Sequence, residues 1–207
     1  MSQNPLLMVV DMQNDFVLPT GSLSVSGAMN IIPIVNSIRD RFHRVIWTQD
    51  FHPADHISFF TNHPGKKAFE VIDTGKYTQV LFPAHCVQGT DGVEIHKDLI
   101  RKDEDLYVKK GIKNDVDSYS CFFDVVKSSQ TNAAELIEQL GARVLYFLGV
   151  ATDFCVKSSV LDAIELGYEV YVIEDGIAGC VPQDCESAIK LMKEKGAKFV
   201  KSTDLKL

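Results

Sequence analysis

The sequence lacks an excess of positive charge, a long hydrophobic run and a regular cysteine framework. Its 21 lysines and arginines face 28 aspartates and glutamates, and the formal net charge of −7 provides no basic surface for a nucleic acid backbone. No apolar run approaches the length of a membrane span, and the first residues lack the positive region of an export signal. We therefore expect a cytoplasmic protein that acts on a small molecule, without nucleic acid or membrane partners.

The five cysteines are an odd number and are widely spaced along the chain, which argues against a disulfide framework. Most free thiols are small buried apolar groups, so a catalytic role for any one of them needs support from its neighbours. The cysteines are Cys86, Cys121, Cys155, Cys180 and Cys185.

The second half of the chain repeats a helical run, a glycine and an apolar strand. Gly141, Gly167 and Gly196 suit the left-handed position just past a helix end. Apolar residues at helical spacing between 31 and 42 separate two further strands in the first half. The predicted strands span residues 6–10, 44–48, 105–109, 143–150, 168–173 and 197–200.

Apolar strands that alternate with helices are typical of parallel pairing, with both faces of the sheet covered. We therefore predict a single α/β domain over residues 1–207, with a doubly wound, mostly parallel six-stranded sheet and helices on both faces. Residues 51–91 do not fit this pattern, because histidine, proline and glycine interrupt them too often for a regular element. A long irregular loop in a compact domain favours a functional role.

Reactive side chains follow the predicted strands. Ligands of open α/β sheets bind beyond the carboxyl ends of the strands, so the residues at those ends are informative. The first strand leads to Asp11, the second to Asp50 and His52, the third to Lys110, and the fourth into Cys155. We expect all of them at one rim of the sheet.

Three of these residues form a plausible catalytic set. Cys155 lies where the chain turns from strand to helix, and a helix N-terminus stabilises a thiolate. Asp11 can take the thiol proton, and the Lys110 ammonium can stabilise both anions. The backbone N–H groups of Ala151 and Cys155 can face a developing oxyanion. Each residue alone also fits an ordinary role, as a buried thiol, a turn cap or a surface charge.

Asp50 and His52 also begin a candidate metal site, with His56 and His85 available from the following loop. One carboxylate with two or three imidazoles suits zinc, iron or manganese, with water at the open positions. The Asp-x-His pair alone is a weak signal. Histidines that only form hydrogen bonds or face solvent explain the loop equally well.

Five segments match the motifs of one family, in the family's order and over nearly the whole chain. They are VVDMQNDF (9–16), TQDFHPADHISF (48–59), FPAHCVQGTDG (82–92), KKGIKNDVDSYSCFF (109–123) and GVATDFCV (149–156). In these segments the chain resembles the nicotinamidases (pyrazinamidases) of the isochorismatase-like cysteine hydrolase superfamily. The resemblance implies hydrolysis of nicotinamide to nicotinate and ammonia, in NAD salvage.

The resemblance also implies roles for individual residues. Asp11 is the general base, Lys110 its charge partner, and Cys155 the nucleophile that forms a thioester. One divalent metal ion orients the pyridine ring, with zinc as our first choice and iron or manganese as alternatives. The implied metal ligands are Asp50, His52 and His85. His56 stays outside this set, because its position binds metal directly in some relatives and through the outer sphere in others.

The implied substrate pocket is built around the pyridine ring. The residues at matching positions are Phe16, Phe82, Tyr119 and Ala151. The Val150–Ala151 peptide matches a cis bond of the family, which is costly outside such a site. Phe82 replaces a tryptophan that relatives often carry, and residues 59–81 could form a lid.

Alternative functions remain open at this point. A carbamoyl-compound amidase of the same superfamily would keep the aspartate, lysine and cysteine but need no metal. An isochorismatase-type vinyl-ether hydrolase would leave both Cys155 and the metal set without a role. A non-catalytic scaffold or thiol sensor would retain only the fold. The three candidate catalytic residues and the candidate metal ligands favour the nicotinamidase, either as a monomer or as a homo-oligomer.

Overall fold

The computed structural model describes residues 4–205. Its strands are β1 (Leu6–Val10), β2 (Arg44–Asp50), β3 (Val71–Asp73), β4 (Thr78–Val80), β5 (Leu106–Lys110), β6 (Val144–Val150), β7 (Glu169–Ala178) and β8 (Lys198–Val200). Six of them form one sheet in the order β5-β2-β1-β6-β7-β8, and all neighbours in it are parallel. The predicted sheet is therefore confirmed. Among its strands only β7 differs much from its predicted bounds, because it continues past residue 173 to Ala178.

The α-helices are α1 (Asn14–Val17), α2 (Ile31–Ile38), α3 (Ala133–Gln139), α4 (Lys157–Glu165) and α5 (Pro182–Glu194). A π-helical turn spans Thr152–Val156 and leads directly into α4. Short 3-10 turns span Ala28–Asn30, Arg39–Arg41, Phe60–Asn62, Asp91–Val93 and Ser202–Asp204. Between residues 4 and 205, no helix combines the length and the apolar character needed to cross a membrane.

The helices cover both faces of the sheet, as predicted. In β1, Leu7 and Val9 join a buried cluster with α2, whereas Leu6, Met8 and Val10 join a second cluster with α3, α4 and α5. All five residues of β1 are buried, which is typical of a central parallel strand. The two clusters fix the sheet between the helical layers and hold the carboxyl ends of its strands at one edge.

The helix–glycine–strand pattern of the second half is also confirmed. Gly141, Gly167 and Gly196 have φ angles of 63°, 87° and 110° and follow α3, α4 and α5. This left-handed region is disfavoured for side chains with a Cβ, so glycine lets each helix stop and the chain turn into the next strand.

The prediction that residues 51–91 hold no regular element was wrong for the β3–β4 hairpin. The hairpin is antiparallel, pairs Val71 with Val80, and lies outside the main sheet. Its strands have three residues each, which is too short for an alternating pattern to stand out in the sequence. The hairpin belongs to the segment proposed as a lid.

Candidate active site

The parallel strands bring the candidate catalytic side chains to one edge of the sheet. Asp11 directly follows β1, Asp50 ends β2, Lys110 ends β5, and Cys155 lies in the π-helical turn after β6. All four side chains are buried. The convergence expected from the strand ends is thus present in the structure.

Lys110 is the centre of this group. Its Nζ lies 2.9 Å from Asp11 Oδ2 and donates hydrogen bonds to Cys155 Sγ at 3.3 Å and to the Ser118 carbonyl at 3.2 Å. It also forms an ion pair with Asp50 Oδ1. Burial lowers the pKa of the Lys110 ammonium, but Asp11 and Asp50 outweigh it and hold that pKa well above its usual value. Lys110 therefore remains a cation between two carboxylates and a thiol.

Asp11 is held so that one oxygen remains available. Oδ1 accepts a hydrogen bond from the Thr48 hydroxyl at 2.6 Å. Oδ2 makes no hydrogen bond of normal geometry within the described part of the chain, although the Lys110 ammonium is adjacent. Carboxylate oxygens of Asp11 and Asp50 and the Sγ of Cys155 lie within 4.8 Å of one another. Burial raises the pKa of Asp11, with Lys110 opposing, which suits a general base.

Burial of Cys155 works against the thiolate stabilisation that a helix N-terminus predicts. Burial raises the pKa of the Cys155 thiol well above its usual value, Lys110 opposes the shift, and Asp11 and Asp50 add to it. Desolvation is the largest cause of the shift, because Cys155 is only 6% exposed. A raised pKa favours the protonated thiol, and a neighbouring base can then assist attack by Cys155.

The candidate metal ligands face one another beside this group. Asp50 Oδ2 lies 3.6 Å from His52 Nε2 and 3.9 Å from His85 Nε2. The Nδ1 atom of His52 is 2.8 Å from the Gly111 carbonyl, and that of His85 is 2.7 Å from the Pro83 carbonyl. These contacts fix both rings and leave their Nε2 atoms directed at the carboxylate, an arrangement common among metal-binding histidines.

The pKa values of the two imidazoles are shifted in opposite directions. Burial, helped by His52, lowers the pKa of His85 to about 4, which keeps its Nε2 lone pair free at neutral pH. Burial also opposes protonation of His52, but Asp50 outweighs it and raises that pKa. One ligand atom from each of Asp50, His52 and His85 lies within 4.8 Å of the other two. The set fits a divalent metal ion.

Backbone and side-chain contacts behind the ligands hold them in place. Gln13 donates to the Asp50 carbonyl and accepts from the Asp50 N–H, both at 2.8 Å. At Gly111, where φ is +62°, an added Cβ would lie 2.3 Å from Cε1 of His52. A side chain there would collide with the imidazole, so glycine allows the backbone carbonyl to reach His52 Nδ1.

His56 and Asp117 extend the polar cluster. His56 is fully buried, its Nδ1 lies 2.7 Å from the Ser58 hydroxyl, and its Nε2 has no hydrogen-bond partner among residues 4–205. Ligand atoms of His52, His56 and Asp117 also lie within 4.8 Å of one another. Sequence reasoning missed Asp117, because it belongs to an irregular segment where no strand end marks it, although the DSYS part of a quoted motif contains it.

A cavity of about 290 Å³ opens onto Cys155 and the candidate metal ligands. Its walls include every residue that the resemblance assigned to the substrate ring, namely Phe16, Phe82, Tyr119 and Ala151. The Phe82 and Phe154 rings meet edge to face at 5.7 Å, and the Tyr119 and Phe154 rings are 5.5 Å apart. The Val150–Ala151 peptide is cis, as the resemblance implied. The cavity therefore provides a mainly apolar slot for a planar ring beside a buried thiol.

Other wall residues were not identified from the sequence. They are Leu23, Val25, Phe69, Val80, Asp117, Phe154, Cys180, Val181 and Asp184. Most come from loops or from the hairpin, where side-chain direction is not set by a regular period. Asp11 lies behind Cys155, is fully buried, and is not part of the cavity wall.

Comparison with known proteins gives a consistent family. The isochorismatase domain model matches residues 5–204. The chain is 42% identical over 174 residues to the nicotinamidase of Acinetobacter baylyi, covering 84% of this chain and 81% of that protein. The resemblance to the nicotinamidases is thereby confirmed.

Solved structures agree with the sequence comparison. The nicotinamidase/pyrazinamidase of Acinetobacter baumanii superposes with a TM-score of 0.94 at 41% identity, covering 100% of both chains. The pyrazinamidase of Pyrococcus horikoshii, solved in complex with zinc, has a TM-score of 0.80 at 33% identity, covering 96% of this chain and 99% of that one. The chain belongs to the isochorismatase domain family.

Proposed function

We propose that this chain is a nicotinamidase, which hydrolyses nicotinamide to nicotinate and ammonia and so serves NAD salvage. The observation that carries the proposal is the position of Lys110 Nζ, 2.9 Å from Asp11 Oδ2 and 3.3 Å from Cys155 Sγ, beside an aromatic cavity. A base, a cation and a nucleophile are thus held together next to a slot for a planar amide. The relatives named above carry the same activity in their names.

In the first half of the reaction, Cys155 Sγ attacks the carboxamide carbon while Asp11 takes the thiol proton. The raised pKa values of both groups favour this transfer at the moment of attack rather than before it. Lys110 keeps its charge and limits the build-up of negative charge as the thiol proton leaves. Asp11 then gives the proton to the departing nitrogen, ammonia is released, and a Cys155 thioester remains.

In the second half, Asp11 takes a proton from a water molecule that attacks the thioester carbonyl. The C–S bond breaks to give nicotinic acid, which loses its proton to solvent as nicotinate, and the proton held by Asp11 passes to the Cys155 sulfur. The backbone N–H groups of Ala151 and Cys155 are the proposed donors to the oxyanion in both halves. The protonated thiol and the free carboxylate are thereby restored.

The cavity walls and the metal set orient the substrate. Phe16, Phe82 and Tyr119 would pack against the pyridine ring, and Ala151 would lie beside the carboxamide. Asp50, His52 and His85 would hold the divalent ion, for which we propose zinc because the carboxylate and imidazole donors suit it. When bound, such an ion supplies a Lewis-acidic partner for the pyridine nitrogen.

Substrate comparison tests the proposal. Purified protein is assayed for ammonia released from nicotinamide and from a carbamoylated amine, with Cys155→Ala and Cys86→Ala as a matched pair of buried cysteine variants. We expect the unmodified protein and Cys86→Ala to turn over nicotinamide. Cys155→Ala should lose this turnover and keep an unchanged circular dichroism spectrum. Preference for the carbamoylated amine, or full activity of Cys155→Ala, would contradict the proposal.

A further inference from the structure

Gln79 is a buried amide on a hairpin whose other strand residues are exposed or half-buried. It lies in β4, has no exposed surface, and is flanked by the exposed Thr78 and the half-buried Val80. Because β3 and β4 form a separate two-stranded sheet, the main sheet does not account for this burial. The Gln79 side chain instead points into the polar layer beside the candidate active site.

The Gln79 amide contacts two residues of the cavity wall. Its Nε2 donates to Asp117 Oδ2 at 2.8 Å and to the Tyr119 hydroxyl at 3.3 Å. The Val80 carbonyl, 2.7 Å away, is a third acceptor, so the two N–H groups of the amide are shared among three partners. Within residues 4–205 its Oε1 has no hydrogen-bond partner. Burying an amide oxygen without a hydrogen-bond partner costs free energy. The hydrogen bonds of the Gln79 nitrogen offset this cost and account for the buried position of the side chain.

Tyr77 provides a second connection between the hairpin and the same segment. Its hydroxyl accepts a hydrogen bond from the Asp117 backbone N–H at 3.0 Å. Asp117 is therefore held by the hairpin through both its backbone and its carboxylate. Asp117 Oδ1 also accepts from the Ser118 N–H, and Ser118 provides the carbonyl that Lys110 binds.

The hairpin contacts bear directly on the cavity. Val80, Asp117 and Tyr119 all line it, and Gln79 lies behind them. Without the Gln79 donor, the Asp117 carboxylate and the Tyr119 hydroxyl would each lose a buried partner. The Asp117 and Tyr119 side chains would then be free to adopt other positions in the cavity wall, which weakens binding of a planar ring more than it changes the thiol chemistry.

We propose that Gln79 is a positioning residue that sets the affinity for the aromatic amide by holding Asp117 and Tyr119 in the cavity wall. The inference rests on the proposed nicotinamidase function and assigns a role to the hairpin within it. Gln79 touches no reacting atom. It acts through the two wall residues, so its replacement should change KM rather than kcat.

The test uses Gln79→Met, which keeps the approximate volume and removes both polar atoms of the amide. Tyr77→Phe removes the second connection, and Thr78→Ala is the matched control, because Thr78 is exposed on the same strand. We expect Gln79→Met to raise KM for nicotinamide about tenfold, with kcat changed less than about twofold. Tyr77→Phe should change KM in the same direction, and Thr78→Ala should match the unmodified protein.

Calorimetric titration with nicotinate gives a readout that does not depend on turnover. The dissociation constant for nicotinate should rise in Gln79→Met in parallel with KM, whereas a merely structural role would lower the melting temperature and leave both constants unchanged. If Gln79→Met does not fold, unchanged KM and nicotinate affinity in Tyr77→Phe would overturn the inference.

The same measurements separate the two proposals. If the unmodified protein neither releases ammonia from nicotinamide nor binds nicotinate, the proposed function fails. If it does both and Gln79→Met keeps the same KM and nicotinate affinity, the function stands and the role of Gln79 is overturned. A lowered kcat at constant KM in Gln79→Met would also contradict a role in substrate affinity.

Discussion

Lys110 Nζ lies 3.3 Å from the Sγ of Cys155 and donates a hydrogen bond to it. The same ammonium contacts Asp11 and Asp50, so one cation offsets two buried carboxylates and faces the thiol. A buried charge left without its partner is strongly destabilising. The group therefore has to be considered as a unit, in which each member sets the charge state of the others.

The first prediction follows from this shared cation. In Lys110→Met, Asp11 and Asp50 lose their common counter-charge while remaining buried. We expect kcat for nicotinamide to fall by about a thousandfold, and the free energy of unfolding to fall by about 3 kcal/mol. Steady-state ammonia release and urea unfolding measure the two effects.

Lys109→Met is the matched control for this prediction. Lys109 is the preceding residue of β5, is exposed, and places its Nζ 3.7 Å from the centroid of the Phe51 ring. Its replacement should leave kcat unchanged, because it contacts neither carboxylate nor the thiol. An equal fall in kcat in Lys110→Met and Lys109→Met would show that lysine on this strand is needed only for folding.

The second prediction concerns Asp11 as the base. Asp11→Asn keeps the shape of the side chain and an oxygen for the Thr48 hydroxyl, but it cannot take the thiol proton. Because burial raises the pKa of Cys155, the protonated thiol is favoured and a base assists its attack. We expect kcat to fall by about a thousandfold with little change in nicotinate affinity. Asp40→Asn is the control, since Asp40 is exposed, and its kcat should be unchanged. An unchanged kcat in Asp11→Asn would exclude Asp11 as the base.

Much of this site is predictable because the sheet is parallel. Asp11, Asp50 and Lys110 sit at strand ends, and strands of such a sheet present their carboxyl ends at one edge, so their convergence follows from an apolar pattern in the sequence. The charge state of Cys155, by contrast, does not follow from the apolar pattern. It depends on how completely the thiol is desolvated, and no local pattern shows that 6% of the residue remains exposed.

Asp117 and Gln79 show the second limit of sequence reasoning. Asp117 lies in an irregular segment and Gln79 in a strand of three residues, and they meet from positions 38 residues apart. Neither helical nor strand periodicity specifies such a contact. The long-range match of motifs identified the family, but the hydrogen bonds behind the cavity wall became visible only in the folded chain.

The third prediction tests the metal ligands. His85→Ala removes one of the imidazoles that face Asp50 Oδ2, while His43→Ala removes an exposed histidine. We expect about one divalent ion per chain in the unmodified protein and in His43→Ala, and markedly less in His85→Ala, by elemental analysis after dialysis. The same analysis identifies the ion, for which we expect zinc.

Chelation complements this measurement. A chelator should remove both the ion and the turnover of nicotinamide, and resupply of the divalent ion should restore turnover in the unmodified protein but not in His85→Ala. Full activity of a protein shown to be free of metal would contradict the proposed orientation of the ring and would favour a metal-independent amidase.

The fourth prediction concerns stability and pH, through Asp124. Its carboxylate accepts hydrogen bonds from the backbone N–H and hydroxyl groups of Ser128 and Ser129, at 2.7 to 3.0 Å. Burial opposes ionisation of Asp124, but the bonds from Ser129 and Ser128 outweigh it and lower its pKa to about 2. The ionised side chain thus fixes the loop that leads to α3.

A folded-state pKa below the unfolded value of about 3.9 means that the stabilisation is complete above that value and is lost as pH falls toward about 2. Asp124→Ala should lower the free energy of unfolding by about 1 to 2 kcal/mol at pH 7. Urea unfolding is measured at pH 7, 5, 4 and 3. The difference in free energy of unfolding between Asp124→Ala and the unmodified protein should stay constant down to about pH 5 and then shrink.

Asp115→Ala, which alters an exposed aspartate nearby, is the control. A deficit in Asp124→Ala that stays constant down to pH 3 would mean that packing, and not the ionised carboxylate, holds this loop.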